Sequence, residues 1–150
     1  MDATDVKILD CLRSNARMAA SAVGEQVNLS VSAVLERIRK LETQGVIKQY
    51  TVLLDAKKIN KDLTAFISVS LEHPKYNDGF VECIAQDKRL TECHYITGDF
   101  DFLLKVVTDS TQSLEAVLNT IKSIKGVSLT KTLVVLSTLK QDVSVLPETV

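Results

Sequence analysis

Between Val31 and Gln44 the apolar residues Val34, Ile38 and Leu41 recur at spacings of four and three, which stacks them on one stripe of a helix. Ser30 before this stretch is a good N-cap, and Gly45 after it suits the left-handed turn that ends a helix. Ser32, Glu36, Arg39, Lys40 and Thr43 fall away from the stripe, with Arg37 at its margin. A shorter helix over roughly Ala20 to Val27 precedes this one, joined to it only by Asn28-Leu29-Ser30. Earlier still, Val6, Leu9 and Leu12 alternate with Asp5, Lys7 and Asp10, and Thr4 or Asp2 can cap a first helix that ends near Ser14-Asn15. The three helices share a predicted core of Ile8, Leu9, Leu12, Val23, Val27, Val34, Ile38 and Leu41. Ala19, Ala20, Ala22 and Gly24 keep the middle helix small enough for close packing, although Gly24 costs about 1 kcal/mol relative to alanine.

Beyond Gly45 the pattern changes. Val46 to Asp55 is rich in β-formers and predicts a strand that leads out of the helical head and serves as its linker. A polar turn over residues 56–62 follows. From Leu63 the order becomes strand, helix, strand, strand, helix, strand, with strands at Leu63–Glu72, Leu90–Thr97, Asp101–Thr108 and Val127–Leu139. The helices fall at about Asn77–Gln86 and Thr111–Ile124, the second with Leu114, Val117, Leu118, Ile121 and Ile124 on one stripe. A βαββαβ order predicts a ferredoxin-like antiparallel sheet with both helices on one face. The fold class is therefore α+β: a helix-turn-helix (winged-helix-like) domain over residues 1–45, a β linker over 46–61 and a ferredoxin-like domain over 62–150.

Both faces of that sheet carry apolar residues. Ala65, Ile67, Val69 and Leu71 alternate with Phe66, Leu103 and Val107 with Phe102, Leu104 and Val106, and Leu133 and Val135 with Val134 and Leu136. Helices cover only one face, and a bare apolar face of this size predicts an interface. The expectation is a homodimer joined sheet to sheet, able to assemble further into a tetramer or octamer. Such a dimer brings two heads together for a two-fold symmetric DNA site.

Composition adds little: the formal net charge is −1 over 150 residues, which gives no average bias toward nucleic acid. Through Tyr50 there are seven basic residues against six acidic, and the remainder has eleven against thirteen. Affinity for DNA must then come from a focused patch or from doubling. Cys11, Cys83 and Cys93 show no metal-ligand or disulfide spacing and read as buried reduced thiols. No signal peptide and no run of the ~20 apolar residues that span a bilayer is present, so the expected location is cytoplasmic, with no membrane partner.

The chemistry concentrates in two places. In the head, a tight turn between two helices, the second with a basic face, makes a helix-turn-helix whose Ser30, Ser32, Glu36, Arg37, Arg39 and Lys40 are the candidate contacts to double-stranded DNA. Guanidinium groups reach phosphates and guanine edges, and Glu36 can accept from a cytosine amino group. In the second domain, Thr97-Gly98-Asp99-Phe100-Asp101 is a tight connection between strands, and Thr130 and Thr132 point the same way on the last strand. By itself a turn aspartate is only a cap. His73 reads as a loop residue, and His94 and Tyr95, being adjacent on a strand, face opposite ways.

At Leu29-Ser30, Val34, Arg37-Ile38, Leu41-Glu42 and Gly45-Val46-Ile47, preceded by Asp5, Ile8-Leu9, Leu12 and Arg17, the sequence resembles the Lrp/AsnC family of bacterial and archaeal transcription regulators. The resemblance spans nearly the whole chain. It implies a regulator, not an enzyme, whose Gly-x-x-Asp loop takes part in binding an amino acid or related small molecule between dimers. Gly98, Asp99, Asp101, Thr130 and Thr132 are the effector-binding candidates, and no cofactor, metal or catalytic residue is implied. Two departures fall at turns: Asn28 and Asn60 stand where glycine is usual, and asparagine tolerates the left-handed region. The same two-part architecture also resembles siroheme decarboxylases, which need cationic groups for a polycarboxylate substrate. Arg89 is the only arginine beyond Arg39, so that enzyme's pocket has little to build on. A ligand-sensing oligomer with an inactive head is the third reading.

Overall fold

The structure, a computed structural model that describes residues 1–148, separates by its packing into two units: Met1–Leu53 with the segment from Lys140 onward, and Leu54–Leu139. In the first unit α1 (Ala3–Ser14), α2 (Ala20–Val27) and α3 (Val31–Thr43) form a three-helix head. Asp2 caps α1 reciprocally: its carboxylate accepts from the Asp5 amide, and the Asp5 carboxylate accepts from the Asp2 amide, each at 2.9 Å. Ile8, Cys11, Val23 and Val34 form the buried core, and Leu12, Val27 and Ile38 pack around it. Leu41 is buried as well, whereas Leu9 is half-buried.

The turn between α2 and α3 is set by two residues. Asn28 sits in the left-handed region at φ 54°, ψ 48°, which its short polar side chain tolerates at little cost. Gly24, one turn back, is buried, and its carbonyl accepts from the Leu29 amide at 3.0 Å. A Cβ on Gly24 would lie 2.5 Å from the Leu29 carbonyl oxygen, so only glycine permits the chain to double back here. Ser30 then caps α3 by accepting from the Ala33 amide.

The strand expected over Val46–Asp55 does not form. Gly45 turns left-handed at φ 72°, and the Val46 and Ile47 amides both donate to the Leu41 carbonyl, closing the end of α3. Among the described residues the segment that follows pairs with no strand, and a strand exists only as half of a ladder. Val52, Leu53 and Leu54 are accordingly exposed. No β-strand occurs among the described residues of this unit, so the head is three helices without a wing.

The second unit contains β1 (Leu63–Leu71), α4 (Asn77–Ala85), β2 (Leu90–Tyr95), β3 (Phe102–Thr108), α5 (Thr111–Ser123) and β4 (Val127–Val134). The strands pair antiparallel in the order β2-β3-β1-β4, the ferredoxin-like arrangement read from the sequence. Ala65, Ile67, Val69, Phe102, Leu104 and Val106 face Phe80, Ile84, Leu114, Val117 and Ile121 of the helices in one core. Phe80 and Phe102 place their ring centres 4.9 Å apart. The last strand stops five residues short of the expected Leu139, its final pair being Val134 with Ala65 of β1. Gly126, at φ 93°, lies where any Cβ would strike the Tyr76 ring.

Register fixes what lies on the uncovered face. Phe66, Leu103, Val107, Leu129 and Leu133 stand there beside Ser68, Ser70, Lys105, Lys131, Glu92 and His94. The face is thus half polar, less uniformly apolar than the alternation suggested. Glu92 bridges Lys105 at 2.9 Å and His94 at 3.1 Å, and these two neighbours, Lys105 first, hold its carboxyl below the usual range. Of the three cysteines only Cys11 is buried. Cys83 and Cys93 are exposed, contrary to expectation, since Cys83 lies off the core side of α4 and Cys93 on an edge strand.

Candidate nucleic-acid interface and effector loop

The apolar stripe of α3 is packed inward, so its opposite side is presented outward by the same geometry. Ser30, Ser32, Glu36, Arg39, Lys40 and Thr43 are all exposed. Ser30 and Ser32 bring their hydroxyls to 3.1 Å at the start of the helix, where backbone amides also point outward. Among the described residues neither Arg39 nor Lys40 is held in an ion pair. Two unpaired cations and two hydroxyls on one exposed ridge form a surface suited to a phosphate backbone.

Arg37 is placed differently from the other candidates. Its Nη1 donates to Asp2 Oδ2 at 2.8 Å and to Asp5 Oδ1 at 2.7 Å, so its guanidinium turns back onto the start of α1. The Arg37 hydrogen bond holds the Asp2 carboxyl below the usual carboxylate range. Burial pushes the Asp5 carboxyl upward, but the Asp2 amide and Arg37 outweigh it, and the net direction is also down. The first helix therefore supplies two residues, Asp2 and Asp5, that the sequence marked only as cap and helix polar face. The Asp-x-x-Asp spacing signals a reciprocal cap, but nothing local signals a partner more than thirty residues away.

The sign of these shifts predicts acid sensitivity. Carboxylates held below their unfolded values contribute stability that is full at neutral pH and is lost as pH falls through about 4 and below. The melting temperature of the head is expected to fall between about pH 5 and about pH 3 more steeply in the native chain than in an Asp2→Asn, Asp5→Asn double variant. Parallel melting curves for the two proteins would contradict it.

In the second unit Gly98 sits at φ 109°, in the turn that joins β2 to β3. Asp101 is bound into the fold: its amide donates to the Val69 carbonyl at 3.0 Å, and its Oδ2 accepts from the Leu71 amide at 2.7 Å. The Asp99 carbonyl accepts from the Ser70 hydroxyl. The loop therefore lies against the end of β1. Thr130 and Thr132 do share one face, the helix-covered one, opposite Val69 and Ile67 across β1. Thr130 lines an open cleft of about 350 Å³ with Lys122, Val127, Ser128 and Leu129, and Thr132 does not. Ser128 and Lys122 escaped the sequence reading, since isolated polar residues at the ends of a strand and a helix carry no pattern. Arg89 is engaged by Asp87 through two of its nitrogens, at 2.9 and 2.7 Å.

Among the described residues no helix is long and apolar enough to cross a membrane. Residues 1–42 match the AsnC-type helix-turn-helix domain, and residues 64–145 match the Lrp/AsnC ligand binding domain. The chain is 34% identical over 142 residues to an HTH-type transcriptional regulator of Pyrococcus horikoshii, covering 95% of each. It is also 34% identical over 144 residues to the leucine-responsive regulatory protein of Haemophilus influenzae, covering 94% of this chain and 87% of that one. Among solved structures, a Neisseria meningitidis transcriptional regulator in complex with L-Met superposes with a TM-score of 0.92 at 32% identity, covering 97% of this chain and 96% of that one. Escherichia coli AsnC superposes with a TM-score of 0.88 at 27% identity, covering 94% and 95%. With both halves matched in order and the exposed ridge of α3 in the half that reads DNA, the chain belongs to the Lrp/AsnC family of DNA-binding transcriptional regulators.

Proposed function

We propose that this regulator acts in the cytoplasm as a homodimer on a palindromic DNA site, with an α-amino acid as its effector. The DNA contacts in this reading are Ser30, Ser32, Glu36, Arg39 and Lys40, and the observation that carries it is the exposed ridge of α3 with its two unpaired cations. Dimerisation through the uncovered sheet face explains how so small a charge suffices, because two linked heads multiply a weak single-site affinity. The Neisseria relative, bound to L-Met, supports an amino acid as the effector class. In the loop, Asp101 ties one carboxylate oxygen to the Leu71 amide. Asp99 and the Thr130 cleft are the parts of the effector region left to a ligand. None of the chemistry proposed here is catalytic.

Selection of bound duplexes from a random pool is the direct test, with a two-fold symmetric consensus as the expected result. Arg39→Ala is expected to weaken binding to the selected duplex and to lower the slope of log affinity against log salt by about 1. An unchanged affinity would remove Arg39 from the interface. A calorimetric screen of the amino acids in the presence of that duplex is expected to give heat for at least one of them, and silence across the set would remove the effector from this reading.

A further inference from the structure

We propose that Arg37, the arginine nearest the apolar stripe, is a positioning residue that fixes the reading helix against the first helix and makes no contact with DNA. The proposal rests on α3 being the DNA-reading element. A single nitrogen of Arg37 bridges two carboxylates, at 2.8 Å to Asp2 and 2.7 Å to Asp5. The remaining oxygen of each carboxylate is taken by the other residue's backbone amide, so all four oxygens are committed within one closed network. Asp5 is only 8% exposed. If Arg37 swung out to a phosphate, it would leave the Asp5 carboxylate without its cation and beside a second negative charge, which is unfavourable for a group with so little access to water.

The network is also the only polar link between the start of α1 and α3 among the described residues. The helices otherwise meet through apolar contacts around Ile8 and Val34, whose attraction is non-directional. A guanidinium held by two fixed carboxylates supplies the direction that such packing lacks. Arg37 lies on α3 two and three residues before the exposed Arg39 and Lys40, so any rotation it allows is transmitted to them without loss. Its effect on DNA affinity is therefore indirect.

The two roles for Arg37 predict opposite signs for a change at its partner. Affinity for the selected duplex would be measured across a salt series for the full chain, for Arg37→Gln, for Asp5→Asn and for the double variant, each shown to be folded by its melting curve at the assay temperature. If Arg37 positions the helix, both single variants weaken binding roughly tenfold or more, the salt slope stays that of the native chain, and the double variant is no weaker than either. Arg37→Lys, which keeps the charge, recovers part of the loss. If Arg37 instead contacts phosphate, Arg37→Gln lowers the slope by about 1, and Asp5→Asn tightens binding by freeing the guanidinium and removing a negative charge from the ridge. That result overturns the proposal, as does a native affinity in both single variants. Should Asp5→Asn fail to fold, the exposed Asp2→Asn reads out the same sign.

Discussion

Replacing Gly24 by alanine is expected to unfold or displace the reading helix and to cost the protein its DNA binding. On helix propensity alone the change should stabilise, since glycine inside a helix is about 1 kcal/mol worse than alanine. Packing reverses that sign. The new methyl would stand 2.5 Å from the Leu29 carbonyl oxygen and 3.7 Å from Val34 Cγ2, and the first of these obstacles is backbone. Room can come only from opening the turn, which lengthens the 3.0 Å bond from the Leu29 amide to the Gly24 carbonyl and carries Ser30 and the start of α3 with it. Overpacking of this kind costs about 1–3 kcal/mol, enough to outweigh the propensity gain in a small three-helix core. The measurement is a thermal melt of the head together with a mobility shift on a bound duplex. A lower melting temperature and at least a tenfold loss of affinity are expected, with the sheet unit's core unaffected. A rise in melting temperature would show that the turn gives way freely and that the close approach is not required.

That glycine illustrates where the sequence spoke and where it was silent. Helical period, a serine cap and a left-handed asparagine are local, and from them α2 and α3 emerge within a residue of their observed ends. Gly24 carried only an ambiguous message, since a helix glycine is either a weakness or a necessity and the deciding atom belongs to Leu29. The same division explains the stretch from Val46 to Asp55. Its residues favour an extended backbone, but a strand is a relation between two segments, and among the described residues none pairs with it.

The candidate sites divide along the same line. Exposure of Ser32, Glu36, Arg39 and Lys40 follows from the stripe they avoid, so α3 could be read from spacing alone. Arg37 at the margin could not, because its side chain answers to carboxylates thirty-two and thirty-five residues earlier. Asp101 is similarly ambiguous: an acid in a strand connection serves as a ligand group or as a cap, and here its Oδ2 accepts from the Leu71 amide. In the sheet, alternation marked both faces as apolar, and the inner one is so throughout its core. It overstated the outer one, where serines and lysines interrupt the apolar rows.

That outer face sets the other large expected effect. Leu129 and Leu133 stand on it and are 57% and 54% exposed in the single chain. Surface positions of this kind tolerate substitution within about 0.5 kcal/mol, so a Leu129→Asp, Leu133→Asp double variant should keep its secondary structure and its sheet core. A sheet-to-sheet homodimer would react very differently. Two-fold symmetry repeats each change in the partner, so four carboxylates would be forced into one interface, and each unpaired buried charge costs several kcal/mol. Sedimentation at micromolar concentration should then show the native chain as a dimer or larger and the double variant as a monomer. Separated heads lose the effective concentration that linkage provides, and affinity for a two-fold symmetric duplex should fall by roughly 10² or more. The cation Lys131, on the same face of the same strand between the two positions, sharpens the comparison, because in a folded monomer the new carboxylates could pair with it at little penalty. A double variant that sediments with the native protein and binds DNA as tightly would place the pairing surface elsewhere on the molecule.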